Sequence, residues 1–379
     1  MAENFPGSSA YSTYPPEAND FFENGYLVIR EAFSSEVAAQ CRKIISDKLA
    51  EEGINLLDNK SWMKRKGIAE TYYESDGRPW CDVFTTKLKN SVDNLCGTGR
   101  WRDFGCGWWV ITFPFTSEPP WRVEGKWHVD GHWFQHFPFS KEVGIVPVML
   151  FSDIFPQGGG TVVSIGSHVF VSNMILDCGL RGCSNSEIAS TVLQNHPHLT
   201  NESNILELTG RAGDVFLLHP HLLHARSTNF GDFGADSIRF MCHPSVSLKD
   251  HMDFSVPLDC MTVLERSIFN ACSRNSDLLT RITPVACEEF LNAKAKRHKR
   301  VRFNMPDVEH DDNDRASLVL AEEGNAALDN LASNDINVLK GARNECPSGY
   351  DGLDLESADD ENDIASVMGF GCFLSKRKR

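Results

Sequence analysis

The run Trp127-His-Val-Asp-Gly-His-Trp133 puts an imidazole, His128, and a carboxylate, Asp130, two positions apart, and far downstream the chain supplies His224 and then Arg239. Two imidazoles and one carboxylate on one face of a metal leave positions open for other ligands, the arrangement of non-haem Fe(II) oxygenases. A guanidinium nearby could clamp a carboxylate cosubstrate with two parallel hydrogen bonds. The triplet alone is a weak signal. His251-Met252-Asp253 and His310-Asp311-Asp312 have the same form, and with 13 histidines and 52 acidic residues chance supplies more than one such triplet.

Context separates them. Along a strand, side chains two apart point to one side, so His128 and Asp130 can grip one ion; His132 shares that side only if the strand continues past Gly131. The plain alternative is a strand-end histidine hydrogen-bonded to a nearby aspartate. The His251 pair sits in a polar segment with no later β-type run carrying another histidine, and the His310 pair falls in a segment too polar to fold. For a third ligand, Asp214-Val-Phe-Leu-Leu-His-Pro-His-Leu-Leu-His224 offers His219, His221 and His224. Proline cannot donate to a ladder, so one strand is expected to end at His219, turn through Pro220-His221, and give way to a new extended run from about Leu222 that carries His224. Arg239 lies in Ser237-Ile-Arg-Phe-Met241, whose apolar flanks predict an inward-facing strand where a buried guanidinium needs an anion, either a bound carboxylate or an internal salt-bridge partner.

The elements that must position these residues are mostly strands. Tyr26 to Arg30 reads as a short strand, and after Ser34 or Ser35 as N-cap the spacing of Val37, Ala38, Cys41, Ile44, Ile45 and Leu49 is helical. Trp108 to Phe115, Gly144 to Ile154, Gly159 to Ile165, Asp214 to His219 and Ser237 to His243 are aromatic and β-branched runs punctuated by Gly, Pro and Asp. Helices gather at the front and again near Leu258 to Ile282. This pattern predicts a mainly β sandwich or jelly roll supported by helices. No glycine-rich loop has the spacing of a nucleotide-phosphate cradle.

Composition sets the outer limits. The chain has 379 residues, 41% of them hydrophobic, enough to bury a substantial core. A net charge of −15 argues against nucleic acid as the main partner. Twelve cysteines without a C-x-x-C pair, and no apolar segment resembling a secretion signal, predict free thiols in a reducing compartment. The strongest apolar stretch, Gly144 to Phe151, is too short to span a bilayer. Residues 1–17 read as a disordered leader and 304–379 as a disordered acidic tail. The basic blocks Lys294 to Arg302 and Ser375 to Arg379 could serve nuclear import, so the expected location is cytoplasmic with the nucleus open.

Three blocks carry a resemblance. Asp20-Phe-Phe-Glu-Asn-Gly-Tyr-Leu-Val-Ile-Arg30, Gly158-Gly-Gly-Thr-Val-Val-Ser-Ile-Gly-Ser-His168 and Gly213-Asp-Val-Phe-Leu-Leu-His-Pro-His-Leu-Leu-His224 resemble the opening strand, glycine strand and distal motif of the phytanoyl-CoA dioxygenase family, over roughly residues 18 to 245. These are Fe(II)/2-oxoglutarate oxygenases built on a double-stranded β-helix, a cupin-like jelly roll. The resemblance implies an oxygenase domain over 18–303, with its β-helix core at about 105–245 and a helical extension at about 256–300. It implies His128, Asp130 and His224 as iron ligands, and Arg239 as the partner of the 2-oxoglutarate C5 carboxylate. His168 becomes a packing residue or a neighbour of the ligands. The implied reaction is hydroxylation of a small organic substrate with O2, releasing succinate and CO2. Position 226 departs from the family's small residues, leaving Arg226 as an alternative partner for the cosubstrate or the substrate. Trp127, Trp133, Phe134, Phe137 and Phe139 are either pocket lining or core. Two other classes remain: a catalytically silent member acting as a binding or scaffold protein, and a zinc hydrolase using His219, His221 and His224, for which the sequence lacks H-E-x-x-H.

Overall fold

The computed structural model describes residues 18–62, 67–74, 76–114, 121–231 and 234–303, without side chains for 67–74 and 295–303. The expected leader, the acidic tail with its His310 pair, and the terminal basic block lie outside the described residues. The chain divides into two units, Met1–Lys294 and Ala295–Arg379.

The first unit opens with helix α1 (Ala18–Asn24), strand β1 (Tyr26–Ile29) and helix α2 (Ser35–Glu51). The Ser34 hydroxyl caps α2 by accepting from the Val37 N–H, and Ala38, Cys41, Ile45 and Leu49 form its buried stripe. There follow β2 (Gly67–Glu74), α3 (Trp80–Val83), α4 (Thr86–Cys96), β3 (Cys106–Thr112), β4 (Val123–His128), β5 (Val146–Leu150) and β6 (Thr161–Ser164). Helices α5 (Ser167–Asp177) and α6 (Asn185–Asn195) interrupt the strands before β7 (Ile205–Glu207), β8 (Val215–Leu218), β9 (His224–Ser227) and β10 (Arg239–Cys242). Helices α7 (Val263–Ala271), α8 (Ser276–Arg281) and α9 (Pro284–Phe303) close the described chain.

The strands form two antiparallel sheets, ordered β1-β8-β5-β10-β3-β2 and β4-β9-β6-β7. Neighbours in each sheet are mostly distant in sequence, the winding of a double-stranded β-helix, and the fold is the jelly roll with flanking helices that the sequence predicts. Alternation divides the larger sheet. Trp109 and Ile111 of β3 and the following Phe113, with Phe240 and Cys242 of β10, face the main core against α1, α2, α4 and α7. Val110 and Met241 turn the other way, into a second cluster with Val146, Val148, Phe216 and Leu218 that meets Val163 of the smaller sheet. Thr161 and Met241 touch across this space, Oγ1 to Sδ, at 3.5 Å. The region between the sheets is therefore reached by alternate residues of β3, β6, β9 and β10.

The mainly β reading of the middle of the chain misses α5 and α6. Their outer cluster of Val171, Ile175, Ile188 and Val192 packs with Val129 and Leu223, which flank the two site strands. Among the described residues no helix is long and apolar enough to cross a membrane.

Candidate metal centre and anion clamp

His128 is the last residue of β4 and His224 the first of β9, and the two are direct cross-strand partners. The break before His224 has the expected cause. β8 ends at Leu218, Pro220 lies in a turn closed by the Leu222 N–H donating to the His219 carbonyl at 2.9 Å, and pairing resumes where His224 faces both His128 and Val163. Asp130 corrects the expectation in one respect. It lies beyond the end of β4, in the turn before Gly131 with its φ of +106°, so turn geometry rather than strand alternation brings it back to the histidines. The Asn185 amide holds this turn by donating to the Val129 carbonyl, and His136 Nε2 bonds the Gly131 carbonyl at 2.9 Å. His132 does not join the group.

One ligand atom from each of His128, Asp130 and His224 lies within 4.8 Å of the others, the one such grouping of histidine, cysteine and carboxylate among the described residues. His224 Nε2 is 3.4 Å from Asp130 Oδ1, and His128 Nε2 is 3.9 Å from the same oxygen. Both imidazoles are oriented the same way. His128 Nδ1 bonds the Lys126 carbonyl at 2.9 Å and His224 Nδ1 bonds the Leu222 carbonyl at 3.0 Å. Each Nδ1 must carry the proton to donate, which leaves the Nε2 lone pair turned toward Asp130. His224 Nε2 is buried without a hydrogen-bond partner.

The electrostatics agree with a cation site. Desolvation, reinforced by His224, pushes the His128 pKa down to about 4, so the ring is neutral at physiological pH. Burial alone would raise the Asp130 carboxyl, but the His224 and His243 imidazoles overcome it and hold the group well below the ordinary carboxylate range. Against the same burial, Asp130 raises His224 above its ordinary value.

Arg239 starts β10 and is 1% exposed. Its Nη1 donates to the Gly159 carbonyl, while Nε and Nη2 are buried without partners. Burial pushes its pKa down to about 9, with Arg226 adding to the effect. Thr112, opposite Arg239 in the β3–β10 register, also has a buried hydroxyl without a partner. A guanidinium with two open donors beside an open hydroxyl is built to receive an anion. Arg226 is two residues from His224, but its side chain is 45% exposed and stands 3.9 Å from Glu124.

The remaining candidates fall elsewhere. His221 Nδ1 shares a 2.8 Å hydrogen bond with Ser172, and His219 packs at a tilt between Phe21 and His168, so neither joins His224. His168 is buried and bonds the Phe22 carbonyl at 3.1 Å, a packing role. His251 Nδ1 faces the Phe139 carbonyl at 3.3 Å. Phe137 and Phe139 stack in parallel against the main core, whereas Trp133 is 58% exposed. Two residues at the site escape the sequence reading. His243 continues the alternation from Arg239 through Met241, so strand period could have found it. Thr112 could not have been found, because only the register brings it beside Arg239.

Two packed antiparallel sheets define a cupin-like jelly roll, and the His-Asp-His cluster where β4 meets β9 could hold a metal ion. Residues 21–235 match the family model for phytanoyl-CoA dioxygenase (PhyH), and the chain belongs to that family. No curated protein matches it significantly. Among solved structures, the apoform of EctD from S. alaskensis is 17% identical over 65% of this chain and 79% of its own, with a TM-score of 0.37. The non-heme alpha ketoglutarate dependent carbocyclase SnoK from nogalamycin biosynthesis is 15% identical over 64% and 87%, with a TM-score of 0.38. HygX from Streptomyces hygroscopicus, solved with nickel, 2-oxoglutarate and hygromycin B, is 14% identical over 62% and 86%, with a TM-score of 0.36.

Proposed function

We propose that the protein is an Fe(II)/2-oxoglutarate-dependent dioxygenase that hydroxylates a small organic substrate, with His128, Asp130 and His224 as iron ligands and Arg239 as the cosubstrate clamp. The observation that carries this reading is the convergence of three ligand atoms within 4.8 Å. The donor set fits the group. Two imidazoles, each coordinating in its neutral form, and one carboxylate suit Fe(II), and His224 Nε2, buried without a hydrogen-bond partner, is an atom that a bound metal would satisfy.

When bound, iron with 2-oxoglutarate supplies the oxidising chemistry, converting O2 and the cosubstrate to succinate, CO2 and an oxidant for an unactivated C–H bond. The protein's own contribution is binding and orientation. The Lys126 and Leu222 carbonyls hold Nδ1 of the two imidazoles, so both rings aim Nε2 toward Asp130. Arg239, joined by the Thr112 hydroxyl, receives the far carboxylate of the cosubstrate through Nε and Nη2. The apolar inter-sheet cluster of Val110, Val163 and Met241 keeps water from the space between. Intact ligands and clamp favour an enzyme over a silent scaffold.

The test is anaerobic addition of Fe(II) and 2-oxoglutarate, read by the weak visible charge-transfer band of the chelate. Appearance of the band, followed by succinate formation in O2, supports the reading. A protein that binds metal but produces neither band nor succinate is the silent member.

A further inference from the structure

His243 stands just past the end of β10, and its side chain enters the metal site from the larger sheet, opposite the strands that carry the histidine pair. Its Nδ1 is 3.7 Å from Asp130 Oδ2, and its ring centroid is 6.4 Å from that of His224. That nitrogen is buried without a hydrogen-bond partner, while the residue's backbone N–H donates to the Trp108 carbonyl at 3.3 Å. The two oxygens of Asp130 are thus divided. Oδ1 faces His128 and His224, and Oδ2 faces His243.

We propose that His243 is a positioning residue: its Nδ1–H holds Asp130 Oδ2, so that only Oδ1 is presented to the metal. This inference rests on the proposed metal site and deepens it. A carboxylate with both oxygens free can bind a metal through either or both. The second mode would consume a coordination position that a bidentate cosubstrate and O2 require. A donor fixed on Oδ2 removes that choice. At 3.7 Å the pair stands about half an ångström beyond ordinary N–H···O reach, so the proposed contact requires the two groups to draw together when the ion is bound. His243 itself is not in the group of converging ligand atoms, so it acts through Asp130.

The chemistry of the side chain sets the experiment. Asparagine can place an amide N–H where the imidazole Nδ1 stands, whereas leucine cannot donate. Purified wild type, His243→Leu and His243→Asn are titrated with Co(II) alone, following the d–d spectrum, with melting curves to confirm folding. The expected result is a ~10–100-fold loss of Co(II) affinity and an altered spectrum in the leucine variant, both restored to within a few-fold in the asparagine variant. Should the leucine variant not fold, His243→Gln carries its amide one methylene too far and takes its place. Wild-type affinity and spectrum in the donor-free variant would overturn the proposal, as would an asparagine variant no better than leucine. Pulsed EPR of the Cu(II) form gives an independent count. Two coordinated imidazoles support the assignment, and a third overturns it by making His243 a ligand. Wild-type protein that binds no Co(II) would remove the metal site itself, an outcome distinct from a wild type that binds and a leucine variant that binds equally.

Discussion

His128 and His224 stand directly opposite each other across the β4–β9 pair, ring centroids 4.4 Å apart, each with Nδ1 on the carbonyl two residues before it. Because backbone atoms set both orientations, the two Nε2 atoms are aimed toward Asp130 without the help of an ion. His128→Ala or His224→Ala should therefore reduce Co(II) or Fe(II) affinity by more than the ~10–100-fold that loss of an outer hydrogen-bond partner costs. Metal titration by absorbance or calorimetry checks this; near-wild-type affinity in either variant would contradict the ligand assignment.

Arg239 makes a prediction with two opposite signs. An unpaired buried cation destabilises the protein lacking cosubstrate, so Arg239→Met should raise its thermal stability by about 1–4 kcal/mol. Added 2-oxoglutarate with metal should stabilise wild type and leave the variant's melting temperature almost unmoved. Arg239→Lys should not rescue, because a point charge cannot replace the planar fork. A variant that melts lower than wild type and still responds to 2-oxoglutarate would refute the clamp.

Acid stability should report on Glu265. Its side chain is 1% exposed and receives both Arg100 nitrogens, at 2.6 and 2.9 Å, together with the N–H of Thr262 in a capping box. Burial would raise the Glu265 carboxyl, but Arg100 and the Thr262 N–H prevail and hold it below the ordinary glutamate value of 4.5. A depressed folded-state value means that the stabilisation is present above the unfolded-state value and is lost as pH falls through the lower folded-state one. Glu265→Gln should cost about 2 kcal/mol at neutral pH, less than the ~3–5 kcal/mol of a fully buried pair because Arg100 is partly exposed. Its chemical-denaturation profile should also be flatter below pH 4.5 than that of wild type.

Gly131 couples backbone conformation to the site. At φ +106° an added Cβ would be strained and would meet Phe134 and His136, whose ring braces this turn. Gly131→Ala should cost about 1–3 kcal/mol in stability and weaken metal binding through displacement of Asp130. Thermal melts and metal titration read the two effects separately, and an unchanged metal affinity would show that the turn does not set the carboxylate.

Much of this was legible in the residues. The Pro220 break, the inward-facing strand around Arg239 and the Ser34 cap each follow from local chemistry, and the structure has them where the sequence predicts. Helices α5 and α6 are not legible in the sequence, because their value lies in covering the strands beside Val129 and Leu223, a tertiary requirement that weak local periodicity does not announce. Strand alternation predicts the pairing of Asp130 with His128 for a partly different reason than the one that holds, since alternation ends at His128 and the turn takes over. Thr112 became visible only through register.

The placement of Arg239, Met241 and His243 at alternate positions of one extended segment makes that segment a ruler. Its graduations are fixed by the pleat, about 3.3 Å per residue, so the end that grips an anion and the end that faces Asp130 stand a set interval apart. If Arg239 holds one end of a dicarboxylate as proposed, one longer or shorter by a methylene would meet the wrong mark at the other, because the backbone of β10, bonded on both flanks, does not stretch to accommodate it.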